Sequence, residues 1–234
     1  MEFDGKAVLI TGAAGNLGKA VAAAFAAAGA SLALFDADQQ GLRSVYPDDE
    51  ARTLRVGVDL LKPESVASAV ESTFGHFGRV DVLCNIAGGF RMGHPVHETP
   101  GELWRLMTDL NAGTVINMAR AVVPKMLAAG SGKVINIAAM AGLEGKPGMG
   151  AYCASKSAVM RLTEAMAAEL RDRGINVNCI LPGPLDTPQN RAAMPQADPR
   201  RWVSTGALAD VVLFLASERA RAIHGAAIPV VGLN

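Results

Sequence analysis

The feature that most constrains the fold of this chain is an alternation of short apolar runs with longer amphipathic stretches. Seven apolar runs, among them SLALFD at 31–36 and INVNCILP at 175–182, are separated by segments with helical spacing of apolar residues. Continuously apolar strands are typical of parallel sheets that helices cover on both faces. The pattern predicts an α/β fold, with an open, doubly wound parallel sheet of about seven strands.

The length and composition are those of one domain. The chain has 234 residues and half of them are hydrophobic, which indicates one well-buried core. We therefore expect a single Rossmann-type domain over residues 1–234. The polar, proline-rich stretch at 183–203 is long for a loop in a compact domain, and such loops are often functional lids. It predicts a lid over a substrate site.

The charge pattern excludes several classes of partner. Basic and acidic residues number 22 each, which argues against a nucleic-acid protein or a basic membrane-surface protein. No apolar run is long enough to span a bilayer, and Glu2 and Asp4 precede the first apolar run, unlike a signal peptide. Three scattered cysteines, Cys84, Cys153 and Cys179, lack metal-ligand spacing. We expect a cytoplasmic protein with reduced thiols, a small-molecule substrate and neither nucleic-acid nor membrane partners.

A glycine-rich motif, TGAAGNLG at 11–18, follows the first strand and opens a helix. Gly12, Gly15 and Gly18 are spaced three apart, which permits a tight turn and close approach of the backbone to a pyrophosphate. The alternative is a glycine-rich strand–helix turn with no ligand. The position of the motif in the first βα unit favours a dinucleotide site.

Asp36 ends the second strand, 18 residues after Gly18. A carboxylate at this point accepts hydrogen bonds from the adenosine ribose hydroxyls and repels a 2′-phosphate. No Arg or Lys lies between residues 20 and 42 to bind such a phosphate. The alternative is a helix N-cap, since Asp36 and Asp38 both precede a helix. The ribose interpretation predicts NAD, as NAD(H), for the cofactor.

Tyr152 and Lys156 form a Y-x-x-x-K pair at the start of a predicted helix. A spacing of four places both side chains on one helix face. A lysine charge beside a phenol lowers the pKa of the phenol, which makes it a usable general acid or base. The alternative is a packed tyrosine and a solvated lysine. The pair follows the carboxyl end of strand five, and ligands bind at that edge of such sheets.

Together these motifs resemble the short-chain dehydrogenase/reductase family over essentially the whole chain. NIAG at 85–88 resembles the N-N-A-G that stabilises the central sheet of the family, with Ile86 at its second Asn. The resemblance implies a catalytic set of Tyr152, Lys156 and Asn111, in which Asn111 holds a water of a proton relay. With the glycine motif and Asp36, the predicted cofactor-binding residues are Thr11, Gly12, Gly15, Asn16, Leu17, Gly18, Asp36, Asp59, Leu60, Asn85, Ala87, Gly88, Tyr152, Lys156, Pro182, Gly183 and Thr187.

The resemblance also implies roles for segments outside the glycine motif. Asp59 with Leu60 matches the pair that contacts adenine, and the P-G-x-x-x-T run at 182–187 matches the segment that binds the nicotinamide carboxamide. Helices at about 100–128 and 152–173 correspond to dimer interfaces in the family. They imply a homodimer or homotetramer.

Two further positions depart from the family pattern. Asn16 stands where the glycine motif usually has Gly, and Gly15 can compensate for it. The catalytic serine, expected 13 residues before Tyr152, is Ala139, and residues 137–151 contain no Ser or Thr. Removing one donor to a substrate oxygen costs about 2.7–4 kcal/mol of transition-state stabilisation where the reaction depends on that donor.

The missing serine leaves three functions open. The chain can be an NAD(H)-dependent oxidoreductase for a small carbonyl or alcohol, including a 3-oxoacyl thioester, with another donor in place of the serine. It can reduce a quinonoid substrate, because residues 185–202 and 145–159 resemble those of dihydropteridine reductases, which lack the serine. It can also bind NAD without catalysis. Phe90, Arg91 and Met92, after strand four, are candidates for the mouth of the substrate site. His94 and His97 lack a third ligand, so no metal site is predicted.

Overall fold

A computed structural model describes residues 1–46 and 51–233. In that part of the chain, parallel strands form a sheet of seven in the order β3-β2-β1-β4-β5-β6-β9, and β7 pairs separately with β8. The strands are β1 (Ala7–Thr11), β2 (Ser31–Asp36), β3 (Thr53–Gly57), β4 (Val82–Asn85), β5 (Gly132–Ile137), β6 (Ile175–Pro182), β7 (Leu185–Asp186), β8 (Val203–Ser204) and β9 (Ala227–Val230). The predicted α/β fold with a doubly wound parallel sheet is confirmed.

Helices connect the strands. They are α1 (Asn16–Ala27), α2 (Gln39–Val45), α3 (Pro63–Phe77), α4 (Gly101–Thr108), α5 (Thr114–Ala129), α6 (Gly150–Leu170), α7 (Pro188–Ala193) and α8 (Thr205–Ala216). A single helix was expected over 100–128, but a π-helical turn at Asp109–Gly113 separates α4 from α5. π-helical turns often occur at functional sites. None of the helices in the described ranges is long and apolar enough to span a membrane.

The sheet is buried on both faces because its strands alternate their side chains between two apolar layers. Val8 and Ile10 of β1 pack with α1 and α8, while Leu9 between them packs with α3 and α5 on the other face. Successive strand residues point to opposite faces, so a strand buried on both sides is mainly apolar along its whole length. This packing explains why the strand sequences read as continuous apolar runs.

The direction in which the strand order runs reverses between β1 and β4. In open α/β sheets the crevice outside the carboxyl ends of the strands at such a reversal is the usual binding site. Thr11, at the end of β1, joins the two halves: its Oγ1 accepts hydrogen bonds from the backbone N–H groups of Ile86 at 3.0 Å and Ala87 at 3.1 Å.

Several strands are shorter than the apolar runs that predicted them. The runs at 53–60 and 80–88 contain strands that end at Gly57 and Asn85. Asp59, Leu60 and Gly88 therefore lie in loops beyond the carboxyl ends of β3 and β4. The stretch at 183–203 is not continuous loop, since it holds β7, α7 and β8.

Candidate active site

The glycine turn between β1 and α1 is a backbone cradle with little room for side chains. Gly12 has a φ of 67°, and a Cβ on it would lie 3.0 Å from backbone atoms of Ala87. A Cβ on Gly18 would overlap the carbonyl of Gly12. The first turn of α1 begins after Gly15 with no side-chain cap and no acidic residue. Its N–H groups and the positive end of the helix dipole suit an anion.

A cleft of about 650 Å³ lies over this turn at the reversal of strand order. Ten of the predicted cofactor-binding residues line the cleft: Gly12, Gly15, Asn16, Leu17, Gly18, Asp36, Asp59, Leu60, Ala87 and Gly88. The motifs that sequence spacing treated separately therefore share one crevice.

Asp36 is held in this cleft by backbone donors. Its Oδ2 accepts a hydrogen bond from the N–H of Ala14 at 2.9 Å, and its Oδ1 accepts one from the N–H of Asp38 at 3.1 Å. Asp38, not Asp36, caps α2, because its side chain accepts from the N–H of Gly41. Each oxygen of Asp36 has further acceptor capacity, so the fixed carboxylate can still accept hydroxyl hydrogen bonds.

The loop after β3 carries Asp59 and Leu60 to the same cleft. The Oδ1 of Asp59 accepts from the N–H of Leu61 at 3.0 Å, and its Oδ2 lies 3.4 Å from the ammonium of Lys62. Asn117 on α5 donates to the carbonyl of Leu60 at 2.9 Å. These contacts fix the loop from within and from the neighbouring helix.

Asn85 lies beneath the cleft as a part of the sheet interior. Its Nδ2 donates to Oδ1 of Asn136 at 2.8 Å, and Asn136 donates to Oγ1 of Thr163 on α6 at 2.9 Å. Among the described residues, the Oδ1 of Asn85 is buried without a hydrogen-bond partner. Asn85 therefore joins β4, β5 and α6, and does not line the cleft.

Asn111 links the π-helical turn to the loop after β4 and to α6. Its Oδ1 accepts from the N–H of Gly89 at 3.0 Å, and its Nδ2 donates to the carbonyl of Gly89 and to Oγ of Ser155. The hydroxyl of Ser155 donates to the carbonyl of Tyr152 at 2.8 Å. The structure thus connects Asn111 to the helix turn that bears Tyr152.

Lys156 is buried beside Asn111 at one end of the cleft. Its ammonium donates to the carbonyl of Ile137 at 2.9 Å, and burial lowers its pKa to about 8. A Cβ on Gly88 would lie 2.7 Å from Oδ1 of Asn111 and 3.3 Å from Nζ of Lys156. Only a glycine at 88 leaves room for both side chains there.

Burial of Tyr152 opposes the predicted lowering of its pKa by Lys156. Burial, with a smaller contribution from the charge of neighbouring Cys153, raises the pKa of Tyr152 to about 12. Loss of water disfavours the tyrosinate, and the ammonium of Lys156 is engaged with the carbonyl of Ile137. Helix spacing identifies which side chains share a face, but it contains no information on their desolvation.

The remaining predicted positions lie at the ends of β5 and β6. Ala139 is buried just beyond β5. Pro182 is the last residue of β6, and the N–H of Gly183 donates to Val230 of β9 at 2.9 Å. Thr187 is buried, and its Oγ1 caps α7 by accepting from the N–H of Asn190 at 3.2 Å.

Sequence reasoning missed two contacts of the site. Ser155 lies inside the Y-x-x-x-K motif, and its polarity amid apolar helix positions was the available signal. Gln189 of α7 accepts a hydrogen bond from Nδ2 of Asn16 at 2.7 Å, which no local pattern indicates. His94 and His97 are exposed, and within residues 1–46 and 51–233 no three metal-ligating side chains cluster.

Comparisons with known proteins agree with this geometry. A family model described as short chain dehydrogenase matches residues 6–198. The chain is 33% identical over 246 residues to a 2-(R)-hydroxypropyl-CoM dehydrogenase of Xanthobacter autotrophicus, with 97% of each covered. It is 32% identical to a 3-oxoacyl-(acyl-carrier-protein) reductase of Thermotoga maritima, covering 99% of this chain and 98% of that protein. A crystal structure of NAD⁺-bound xylitol dehydrogenase matches at a TM-score of 0.91 and 29% identity, covering 99% of this chain and 100% of that one.

Proposed function

The chain belongs to the short-chain dehydrogenase family of oxidoreductases, and from this membership we propose that it transfers a hydride between NAD(H) and a small carbonyl or alcohol substrate. The observation that carries the proposal is the cluster at one end of the cleft. There Asn111 and Lys156 meet beside Gly88, and Ser155 connects Asn111 to Tyr152. A 3-oxoacyl thioester is the first substrate type we propose, in keeping with the reductase relative.

The residues of the cleft fit a dinucleotide. The glycine turn and the first turn of α1 would hold the diphosphate, and Asp36 would accept from the adenosine ribose. Following the family resemblance, Asp59 and Leu60 would contact adenine, and Pro182, Gly183 and Thr187 the carboxamide. When bound, the nicotinamide supplies or accepts the hydride.

We expect the protein to bind NADH at least about tenfold more tightly than NADPH, because the Asp36 carboxylate repels a 2′-phosphate. Replacing Asp36 with Ala should narrow this ratio to within about threefold. Fluorescence titration with both nucleotides measures this ratio of affinities. Asp38→Asn is the matched control, since it keeps an acceptor for the cap of α2 and leaves Asp36 in place. Tighter binding of NADPH by the natural chain would contradict the role of Asp36.

We assign proton transfer to Tyr152. Its burial favours the protonated phenol, so a positive charge must act on it during turnover. Burial lowers the pKa of Lys156 to about 8, and its ammonium form can provide this charge. Asn111, held by Gly89 and Ser155, would support the relay of the proton to solvent.

Ala139 supports a second candidate, the reduction of a quinonoid substrate. A conjugated quinonoid ring accepts hydride readily, and it then needs one proton from Tyr152 without a serine donor. A turnover screen with NADH, a 3-oxoacyl thioester and a quinonoid dihydropterin distinguishes the two substrate classes. Binding of NADH without turnover of any substrate would instead support the non-catalytic alternative.

We propose that the chain is one cofactor-binding domain and that residues 183–203 form its lid. The segment has its own polar supports: Arg191 contacts both oxygens of Asp186 at 2.6 and 2.8 Å, and Thr187 caps α7. The hydrogen bond from Asn16 to Gln189 fastens α7 to the glycine turn. Asn16 thus uses the side chain that a glycine at this position would lack.

Removing the bond between the lid and the glycine turn should speed release of the cofactor. We expect Gln189→Ala to raise the dissociation rate of NADH about two- to fivefold, a modest effect because exposed polar pairs contribute little. Stopped-flow displacement measures the rate. Gln196→Ala, in the same segment, is the matched control. An equal effect of both variants would contradict a specific contact at Asn16.

We propose a homodimer or homotetramer and a cytoplasmic location. An apolar groove of about 430 Å³ runs between α5 and α6, and Ile116 is among its exposed residues. Ala154 and Ala165 of α6 are exposed, so they face away from the sheet and are open to a second copy. Light scattering of the purified chain tests the oligomeric state.

All three cysteines are buried and unpaired, in keeping with the reducing compartment of the proposed cytoplasmic location.

A further inference from the structure

The ring of Phe90 lies against the ring of Tyr152 in an edge-to-face contact. The ring centroids are 4.8 Å apart and the ring planes meet at 88°. This arrangement is one of the two that aromatic pairs favour, because the positive edge of one ring meets the negative face of the other. Phe90 remains 45% exposed. The ring thus covers part of Tyr152 while much of its own surface stays exposed.

The backbone around Phe90 is anchored, so its ring is presented from a fixed loop. Both backbone groups of Gly89, the preceding residue, hydrogen bond to the amide of Asn111 at 3.0 and 3.1 Å. Three residues after Phe90, the N–H of Gly93 donates to the carbonyl of Gly148 at 2.9 Å. The loop is therefore fastened to the turn that bears Asn111 and to the entrance of α6.

Tyr152 has no hydroxyl neighbour from the segment that precedes α6. Residues 137–151 contain no Ser or Thr, and position 139 presents a buried methyl group. A reactive side chain needs its rotamer fixed by packing or by hydrogen bonds. Where the hydrogen bond is lacking, packing has to supply the restraint.

We propose that Phe90 is the positioning residue of Tyr152, and that its edge-to-face contact holds and shields the tyrosine ring in place of the hydroxyl missing at position 139. This inference rests on the proposed function, because it takes Tyr152 as the group that transfers the proton. Phe90 is thereby added to the proposed site as a residue that positions Tyr152 and takes no part in proton or hydride transfer.

Loss of the ring should alter kcat and leave cofactor binding unchanged. We expect Phe90→Ala to lower kcat about tenfold, the upper end of what one aromatic pair contributes. The Kd of NADH should stay within about twofold, because Phe90 does not line the cofactor cleft. Phe90→Tyr keeps the ring and should retain kcat within about threefold, whereas Phe90→Leu should behave like Phe90→Ala.

The ionisation of Tyr152 provides a readout that needs neither cofactor nor turnover. The chain has two tyrosines, so a Tyr46→Phe background leaves Tyr152 as the single tyrosine that titrates. Burial is the main cause of its raised pKa, and Phe90 is part of the cover. Phe90→Ala should lower this pKa by about one unit in an ultraviolet titration of tyrosinate.

A double-mutant cycle between positions 90 and 139 tests whether the contact of Phe90 compensates for the hydroxyl missing at position 139. If a serine at 139 takes over the restraint, Phe90→Ala should cost at most about threefold in kcat in an Ala139→Ser background, against about tenfold in the natural chain. Phe214→Ala on α8 is the matched control, because Phe214 has a similar exposure of 39% and does not line the cofactor cleft.

Two results would overturn the inference: an unchanged tyrosinate titration in both Phe90→Ala and Phe90→Leu, or equal effects of Phe90→Ala and Phe214→Ala. If no substrate turns over, the proposed function fails, and the titration still decides whether Phe90 shields Tyr152.

Discussion

Tyr152→Phe should lower kcat by about 10²- to 10⁴-fold while NADH binds with nearly unchanged affinity. This factor is what a positioned general acid or base typically contributes to the rate. Phenylalanine lacks the hydroxyl but keeps the ring that packs against Phe90. The hydroxyl of Tyr152 is not needed for the contact from Ser155, which uses the backbone carbonyl of residue 152. Steady-state NADH oxidation gives kcat, and fluorescence titration gives the affinity.

Tyr46→Phe is the matched control for this substitution. Tyr46 is the other tyrosine of the chain, and its hydroxyl donates to the carbonyl of Ala13 within the glycine turn. This variant can change the affinity for NADH, but its kcat should stay within about threefold of the natural value. Turnover that survives in Tyr152→Phe would contradict the assignment of proton transfer to this residue.

Ala139→Ser should raise kcat/KM for a 3-oxoacyl thioester by about 10²-fold. The new hydroxyl restores a donor to the substrate oxygen, and removing one such donor in other enzymes costs about 10²- to 10³-fold. A quinonoid dihydropterin should show a change of less than about threefold, because its reduction needs only the proton of Tyr152. Comparing kcat/KM for both substrates in the natural and variant chains measures the difference.

Ala141→Ser is the control for this substitution, since it adds a hydroxyl to the same turn two residues away. It should leave kcat/KM for both substrates within about twofold. An unchanged rate of Ala139→Ser on carbonyl substrates would contradict the carbonyl assignment and favour the quinonoid one. The substitution thus separates the two proposed substrate classes.

Much of the fold could be predicted from the sequence because buried parallel strands have an unambiguous pattern. The strands expected at 31–36 and 175–182 have those bounds in the structure. Apolar side chains of these strands contact helices on both faces of the sheet, so the apolar run in the sequence has the same bounds as the strand. The runs at 53–60 and 80–88 were too long because apolar residues continue into loops that cover the edge of the sheet.

The π-helical turn at Asp109–Gly113 could not be predicted, since apolar periodicity is similar in α- and π-helical segments over one turn. Asn111 lies in this turn, and its amide forms hydrogen bonds with Gly89 and Ser155 from other parts of the chain. Hydrogen bonds between residues 22 and 44 positions apart leave no local pattern to detect.

By itself the sequence determined the sheet, the family and the positions proposed to bear chemistry, because these follow from local periodicity and from motifs of fixed spacing. Tertiary structure alone decided the environment of those positions. It assigned the cap of α2 to Asp38, raised the pKa of Tyr152 and placed Phe90 against its ring. Desolvation and ring contacts arise only when distant segments pack together, and for that reason spacing along the chain does not reveal them.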